Sequence, residues 1–197
     1  RLYFERHDGQ AVTCDDFVQA MQDASGVDLS QFRRWYDVAG TPVLDCNGAY
    51  ENGTFVLTVK QSMTPPFHIP FRVRIGSSEQ LLSVRNEAES FRFGNLKRKP
   101  VPSLLRGFSA PVILDYPYTE DELLELMAGD DDPFNRWEAA QRLMSTTILA
   151  RDGVPSAKLV AAARDILAEK DPAFVAEALN LPPESSLAEQ MSVVEPE

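Results

Sequence analysis

The stretch Phe32-Arg33-Arg34-Trp35-Tyr36, followed by Gly40-Thr41-Pro42, divides the chain into parts with different hydrophobic periodicity. Phe32, Trp35 and Tyr36 stand at positions i, i+3 and i+4, so a helix would carry all three rings on one face. Gly40 can adopt the left-handed conformation that ends a helix, and Pro42 prevents its continuation. We expect this aromatic face to be buried against the sheet that follows or against a domain outside the chain.

Upstream of this stretch, residues 1–12 predict a short helical turn and residues 13–26 predict a longer helix. Thr13, followed three residues later by Asp16, is typical of a capping box, in which each side chain satisfies a backbone N–H group. Gly26 is the kind of residue that ends a helix. The helical spacing of the apolar residues predicts a buried stripe of Phe17, Val18, Met21 and Ala24.

Downstream of Pro42 the apolar residues alternate with a period of two, which is typical of β-strands. Asn52-Gly53 predicts a hairpin turn between a strand over residues 42–50 and a strand over residues 54–61. The face of the second strand that we expect to be buried is Phe55, Leu57 and Val59. Further strands are predicted at 68–75, 81–84, 89–93, 100–105 and 110–116. This spacing predicts an immunoglobulin-like antiparallel β-sandwich.

From Tyr118 onward the patterns are helical. Thr119 and Glu122 form a second capping box, while Pro133 and Pro172 each stand at the first position of a predicted helix. Another helix is predicted from Pro155, and residues 186–191 add a last turn. The stripe predicted for the helix that starts at Pro133 is Phe134, Trp137, Ala140, Leu143 and Met144. The fold class is therefore an α+β multidomain chain: short helices, the sandwich, then an all-α helical array.

The amino-acid composition limits the classes of protein to which the chain can belong. The 197 residues are 44% hydrophobic and 25% charged, which is ordinary for a globular protein. No apolar run approaches the roughly 20 residues of a membrane span. The net charge of −11 opposes binding to nucleic acid or to an anionic membrane. The chain opens on Arg1 without a signal-like segment, so we expect an excised fragment of a longer cytoplasmic protein.

The two cysteines, Cys14 and Cys46, do not lie in a CxxC pair. A disulfide between them is one possibility. Two reduced, partly buried thiols are the interpretation that we favour, and they suit a cytoplasmic location.

The search for catalytic residues concentrates on histidine, because zinc hydrolases need imidazoles or carboxylates that converge on the metal, commonly as HExxH. His7 and His68 are the only histidines, and neither stands in such a motif. Ser109 lacks the GxSxG context of a nucleophile, and we interpret it as a turn residue. The run 130–132 lacks the alternating oxygen ligands of a calcium loop and instead places acid at a helix N-terminus. Cys14 near a helix start has no neighbouring histidine.

Several runs of residues resemble, in the same order, one continuous part of the bacterial aminopeptidase N (alanyl aminopeptidase) family of gluzincin zinc metallopeptidases. The runs that carry the resemblance are 3–9, 13–17, 32–36, 40–42, 68–71, 102–112 and 134–141. Together they span nearly the whole chain. The loop at 63–66 is shorter than is usual in the family.

The resemblance implies a modular enzyme with a zinc catalytic domain, a small β-sandwich and a C-terminal helical domain. Residues 1–39 would be the helical tail of the catalytic domain, 40–116 the sandwich and 117–197 the start of the helical domain. In such enzymes HExxH and a downstream glutamate hold zinc, and the HExxH glutamate activates the metal-bound water. No position of this chain matches those motifs, so the resemblance assigns it no catalytic, cofactor-binding or metal residue.

Two functional hypotheses follow. In the first, the chain is a non-catalytic scaffold fragment of a zinc aminopeptidase that removes N-terminal amino acids from peptides. Its partners would be the upstream catalytic domain and the downstream helical domain of the same parent chain, zinc would be a cofactor of the parent alone, and this fragment would be inactive. In the second, the chain is a stand-alone peptide- or protein-binding module without catalysis. Neither hypothesis involves nucleic acid or a membrane.

Overall fold

The computed structural model describes residues 1–150 and 153–192, which form two compact units. Unit 1 comprises residues 1–71, 81–94 and 110–116. Unit 2 comprises residues 72–80, 95–109 and the described residues from 117 onward. The end of the predicted helical domain, residues 193–197, lies outside the described residues. Within the described ranges, no helix has both the length and the apolar character that a membrane crossing needs.

The second helix begins and ends where the sequence predicts, and the turn expected in residues 1–12 is a short helix. Helix α1 is Leu2–His7 and helix α2 is Cys14–Ser25. The Asp16 N–H group donates to Thr13 Oγ1 (3.3 Å) and the Thr13 N–H group donates to Asp16 Oδ2 (2.9 Å), which confirms the capping box. Gly26 is left-handed, with φ 68°. The predicted stripe was partly wrong: Val18 is buried, but Phe17 is 43% exposed.

The aromatic stretch forms a shorter helix than its spacing predicts. Helix α3 is Arg34–Asp37, and Phe32 lies before it in a turn where the Trp35 N–H group donates to Phe32 O (3.1 Å). The helix ends at Val38, whose backbone is extended. Gly40 has a φ of 108° two residues further on, so the prediction that it caps the helix was wrong.

One sheet of four strands contains the predicted hairpin. Its order is β5-β2-β1-β7, where β1 is Val43–Glu51, β2 is Thr54–Gln61, β5 is Ala88–Phe93 and β7 is Ile113–Asp115. The turn residues Asn52 and Gly53 have φ values of 49° and 76°, as a two-residue hairpin requires. Strand β7 pairs with β1 in parallel, which departs from the otherwise antiparallel pattern.

A second sheet has three strands in the order β4-β3-β6, where β3 is Ile69–Ile75, β4 is Ser78–Val84 and β6 is Ser103–Leu104. Of the strand predicted at 100–105, only two residues pair. The chain then makes a short 3₁₀ turn, Arg106–Phe108, that left-handed residues interrupt: Leu105, Gly107 and Phe108 all have positive φ angles of 50–59°. Such left-handed residues cannot continue a strand.

Burial in the strands alternates as the period of two predicts. Phe55, Leu57 and Val59 of β2 have no exposed surface, which confirms the predicted face. Strand β3 likewise buries its odd-numbered residues, from Ile69 to Ile75. Burying such a face of large apolar side chains is the main stabilising term for this region.

In the part of the chain that the structure describes, five helices follow the strands: α4 is Glu120–Gly129, α5 is Pro133–Leu149, α6 is Ala157–Leu167, α7 is Pro172–Leu179 and α8 is Glu184–Ala188. The capping box at Thr119 and the prolines at the starts of α5 and α7 are confirmed. Helix α8 starts two residues before the predicted turn. Their shared core is Leu123, Leu126, Met127, Ala139, Ala140, Leu143, Leu159, Ala162, Ile166 and Ala178. The predicted α5 stripe is rotated, because Phe134 and Trp137 lie only half-buried outside this core.

The close approach at Gly48 in strand β1 generates a testable prediction. A Cβ atom at this position would lie 2.6 Å from the Tyr116 hydroxyl oxygen and 2.8 Å from Phe55 Cε2. We expect Gly48→Ala to lower the free energy of unfolding by about 1–3 kcal/mol, since two packed rings must move. Thermal unfolding measures the effect. Gly94→Ala is the control, because no described atom lies within 4 Å of its Cβ position; equal stability of the two variants would contradict the prediction.

Candidate functional site

The two histidines do not form a catalytic or metal-binding group. The His7 ring packs 5.5 Å from the Tyr3 ring, whereas His68 Nε2 lies 3.3 Å from Ser83 Oγ at the start of β3. Among residues 1–150 and 153–192, no three His, Cys, Asp or Glu side chains are placed to hold a metal ion. The structure therefore brings neither histidine to a site with the donor set that zinc requires.

The cysteines are both free and have different environments. Cys46 is buried in β1, and this burial, with Asp45 and Asp115 nearby, raises the pKa of its thiol to about 12. Such a thiol is a packing group and not a nucleophile. Cys14 is exposed at the first residue of α2, so the prediction of partial burial was wrong for it.

Ser109 has a backbone contact in the structure. Its hydroxyl oxygen accepts the N–H group of Arg72 at 3.0 Å, just after the 3₁₀ turn. The contact joins the turn to strand β3.

In unit 2, several hydrogen bonds connect the buried side chains of Arg106 and Asp130 to their neighbours. Asp130 Oδ1 accepts hydrogen bonds from Arg106 Nη1 (2.7 Å), Arg74 Nη2 (3.1 Å) and the Asp132 N–H group (2.9 Å). The Asp130 side chain has no exposed surface, and that of Arg106 is 7% exposed. Arg106 also donates to Ser103 Oγ at 2.8 Å. We call Arg74, Ser103, Arg106, Asp130 and Asp131 the arginine–aspartate network.

The hydrogen bonds of the network shift the pKa values of Arg106 and Asp131. Burial alone would lower the pKa of Arg106, but hydrogen bonds to Asp131 and Asp130 outweigh it and raise that pKa above its usual value. The hydrogen bond from Arg106 holds the pKa of Asp131 below its usual range. Two buried atoms have no hydrogen bond to the described residues, Asp130 Oδ2 and Arg106 Nε, although Arg106 Nε lies 3.1 Å from a Glu79 carboxylate oxygen. Both pKa shifts favour the charged forms of Arg106 and Asp131, as a structural ion pair requires.

The sequence predicts only that the acidic run 130–132 stands at a helix N-terminus, but its side chains also bond to residues 106 and 107. Asp132 does stand at the N-cap of α5, but its carboxylate accepts the Gly107 N–H group (2.8 Å) and Asn135 Nδ2 (2.7 Å), and it makes no capping bond. The Phe108 ring lies 5.3 Å from the Phe134 ring. Two runs that carry the family resemblance, 102–112 and 134–141, thus meet at this network. Sequence reasoning missed the role of Arg106, although its position within an apolar run was a signal of burial.

Two family models match the chain. A domain of unknown function (DUF3458) with an Ig-like fold matches residues 40–117, and the DUF3458_C domain of ARM repeats matches residues 120–197. The predicted order of an immunoglobulin-like sandwich followed by a helical array is confirmed. The domain boundaries proposed from the sequence stay a prediction, because the compact units divide the chain differently.

Curated relatives match the chain over its full length. Aminopeptidase N of Escherichia coli (strain K12) is 40% identical over 230 residues, covering 100% of this chain and 26% of that protein. The chain is homologous to part of aminopeptidase N. The Haemophilus influenzae aminopeptidase N is 37% identical over 233 residues, covering 100% of this chain and 27% of that protein. The chain thus spans about a quarter of the length of these aminopeptidase N relatives.

A solved structure agrees with this homology. The crystal structure of Legionella pneumophila aminopeptidase A in complex with aspartic acid superposes with a TM-score of 0.88 at 31% identity. The superposition covers 96% of this chain and 24% of the Legionella pneumophila chain. The aminopeptidase N resemblance predicted from the sequence is confirmed.

The arginine–aspartate network leads to a stability prediction. We expect Asp130→Asn to lower the free energy of unfolding by about 3 kcal/mol, because it leaves two arginines without their shared buried carboxylate. Chemical denaturation measures this change. The control is Asp121→Asn, which removes an ion pair to Lys158 whose side chains are 74% and 67% exposed; we expect no measurable change there. An Asp130→Asn variant as stable as this control would contradict the network's role.

His68 leads to a pH prediction. Burial and the Arg85 charge lower the pKa of this imidazole below 6.5, against an opposing effect of Glu89. The unfolded chain therefore binds the proton more readily, so the free energy of unfolding falls as the pH decreases from above 6.5 through the folded-state pKa. NMR titration of the His68 ring protons measures this pKa directly. Arg85→Gln should raise the pKa, whereas Arg92→Gln serves as the control; a wild-type pKa above 6.5 would refute the prediction.

Proposed function

We propose that the chain is a non-catalytic scaffold part of a zinc aminopeptidase that removes N-terminal amino acids from peptides. The observation that carries the proposal is the homology to aminopeptidase N along the whole chain, at 40% and 37% identity to two relatives. The donor set of the described residues does not fit zinc. Zinc and the residues that hold it would then belong to another part of the parent enzyme, in the cytoplasm.

The contacts of the aromatic stretch support a scaffold role within unit 1. Gln31 Nε2 donates to Pro66 O (3.1 Å) and to Arg85 O (2.6 Å), and Trp35 Nε1 donates to His68 O (3.0 Å). The Trp35 ring packs edge-on against Phe67, with 4.9 Å between the ring centroids. If residues 1–39 are the tail of the catalytic domain, these contacts fix that tail to the segment that leads into β3.

The arginine–aspartate network supports the same role within unit 2. Arg74 and Arg106 belong to the region that matches the Ig-like model, whereas Asp130 and Asp131 belong to the region that matches the ARM-repeat model. Their ion pairs, at 2.5–3.1 Å, join the two regions. A scaffold needs fixed connections of this kind, because misplacing a catalytic group by about 1 Å can cost 100-fold in rate.

The proposal is tested first on the chain by itself. We expect no stoichiometric zinc by metal analysis and no turnover of an aminoacyl chromogenic substrate, because the described residues supply no converging donor set. One bound zinc per chain together with turnover would overturn the proposal. The stand-alone binding module would replace the scaffold proposal if two results were found together. These are selective binding of peptides without turnover, and a gene with no upstream coding sequence for an HExxH helix.

The scaffold role is tested in the parent enzyme. Trp35→Ala should lower the temperature of half-inactivation with zinc still bound, because the ring contact and the hydrogen bond that fix the tail are lost. Tyr36→Ala is the matched control, since the ring of Tyr36 is 51% exposed. Equal inactivation temperatures of the two variants would show that the Trp35 contact has no scaffold role.

A further inference from the structure

An aromatic groove lies in unit 2 between the start of α5 and the start of α7. Its volume is about 400 Å³, which is within the range of small-ligand sites. The residues that line it are Pro133, Phe134, Trp137, Asp171, Ala173, Phe174 and Glu177. The Phe134 and Trp137 rings lie 5.8 Å apart with 39° between their planes. The scaffold role proposed above makes no use of this groove.

A further exposed aromatic residue contacts one of the residues that line the groove. Phe108, on the 3₁₀ turn, is 51% exposed and packs against Phe134. Its backbone is left-handed, with φ 50°, and such a conformation is costly for a bulky residue. The Asp132 contact to the preceding Gly107 N–H group holds this turn in place. The structure thus holds an aromatic ring at the surface next to the groove, where burial does not stabilise it.

Both charged residues that line the groove, Asp171 and Glu177, are acidic, while the Arg136 guanidinium lies over the Phe174 ring beside it. Asp171 uses Oδ1 to cap α7, accepting the N–H groups of Ala173 (3.0 Å) and Phe174 (3.3 Å). The Glu177 carboxylate has no ion pair or hydrogen bond to the residues that the structure describes. None of the seven lining residues is basic. A cation between these carboxylates and the ring faces would gain from both, since aromatic faces attract cations.

The same unit already contains one such arrangement. The Arg136 guanidinium lies 4.5 Å from the centroid of the Phe174 ring, while its Nη2 donates to Glu169 (2.6 Å). A phenyl face and a carboxylate therefore hold a guanidinium within this helical array. Guanidinium stacks on aromatic rings better than the compact, strongly hydrated ammonium of lysine does.

We propose that the aromatic groove binds an arginine side chain carried by a segment of a partner polypeptide. The guanidinium would lie against the ring face of Trp137 and near the carboxylates of Asp171 and Glu177, since Arg136 already lies over the Phe174 ring. The charge complementarity is local, from the two carboxylates, and also global, because the chain carries a net charge of −11. The proposal depends on residues of unit 2 alone and stands apart from the scaffold role.

Two indole N–H signals make a direct experiment possible, because the chain contains only Trp35 and Trp137. The probe is the blocked pentapeptide acetyl-Gly-Ala-Arg-Ala-Gly-amide, added to the ¹⁵N-labelled chain in ¹H–¹⁵N correlation spectra. We expect a saturable shift of the Trp137 indole signal, an unmoved Trp35 signal and weaker binding at higher salt. The same peptide with glutamine in place of arginine should bind at least 10-fold more weakly.

Matched variants test the individual groups. Glu177→Gln should weaken binding of the arginine peptide several-fold, and Glu184→Gln, an exposed glutamate on α8, should leave it unchanged. Equal affinity for the arginine and glutamine peptides would overturn the proposal in favour of a purely apolar groove. No Trp137 shift at millimolar peptide would overturn it altogether. A Trp137 shift that depends on protein concentration alone would assign the groove to a second copy of the chain.

Discussion

The buried pairing of Arg106 with Asp130 is the interaction on which the arrangement of unit 2 depends. A buried carboxylate without its cation is costly, so strand β3, the 3₁₀ turn and the connection from α4 to α5 must all be in place together. Leu105 and Phe108 keep left-handed backbones on either side of Arg106. Such strain persists where the surroundings over-determine it, and the bonds to Asp130, Asp131 and Asp132 do so.

This network also explains why residues 72–80 and 95–109 of the Ig-like region belong to the same compact unit as the ARM-repeat region. The region with the Ig-like fold supplies the arginines and the ARM-repeat region supplies the aspartates. Ion pairs at such a joint fix its geometry. They support the functional proposal, since a scaffold contributes to catalysis by holding other groups in position.

Much of the fold could be predicted from the sequence because the residues that specify it lie close together in the chain. Thr13 and Thr119 each bond to a residue three positions away, and Asn52-Gly53 closes a hairpin between adjacent strands. The stripe of α5 was harder to predict. Its helical spacing predicts an apolar face, but burial of Ala139 and half-exposure of Phe134 follow from which neighbouring helices pack there. The aromatic groove could not be predicted from the sequence either. Its rings come from α5 and α7, so it depends on how these two helices pack.

The sequence by itself determined the order of the elements, most of their ends, the alternating faces of the strands and the resemblance to aminopeptidase N. These depend on contacts between residues a few positions apart and on the period of apolar residues. Only the tertiary structure decided the pairing of Arg106 with Asp130 and of Arg74 with Asp130, across 24 and 56 residues of chain. The physical reason is that the stability of an ion pair depends on burial and geometry, and neither is encoded at any one position.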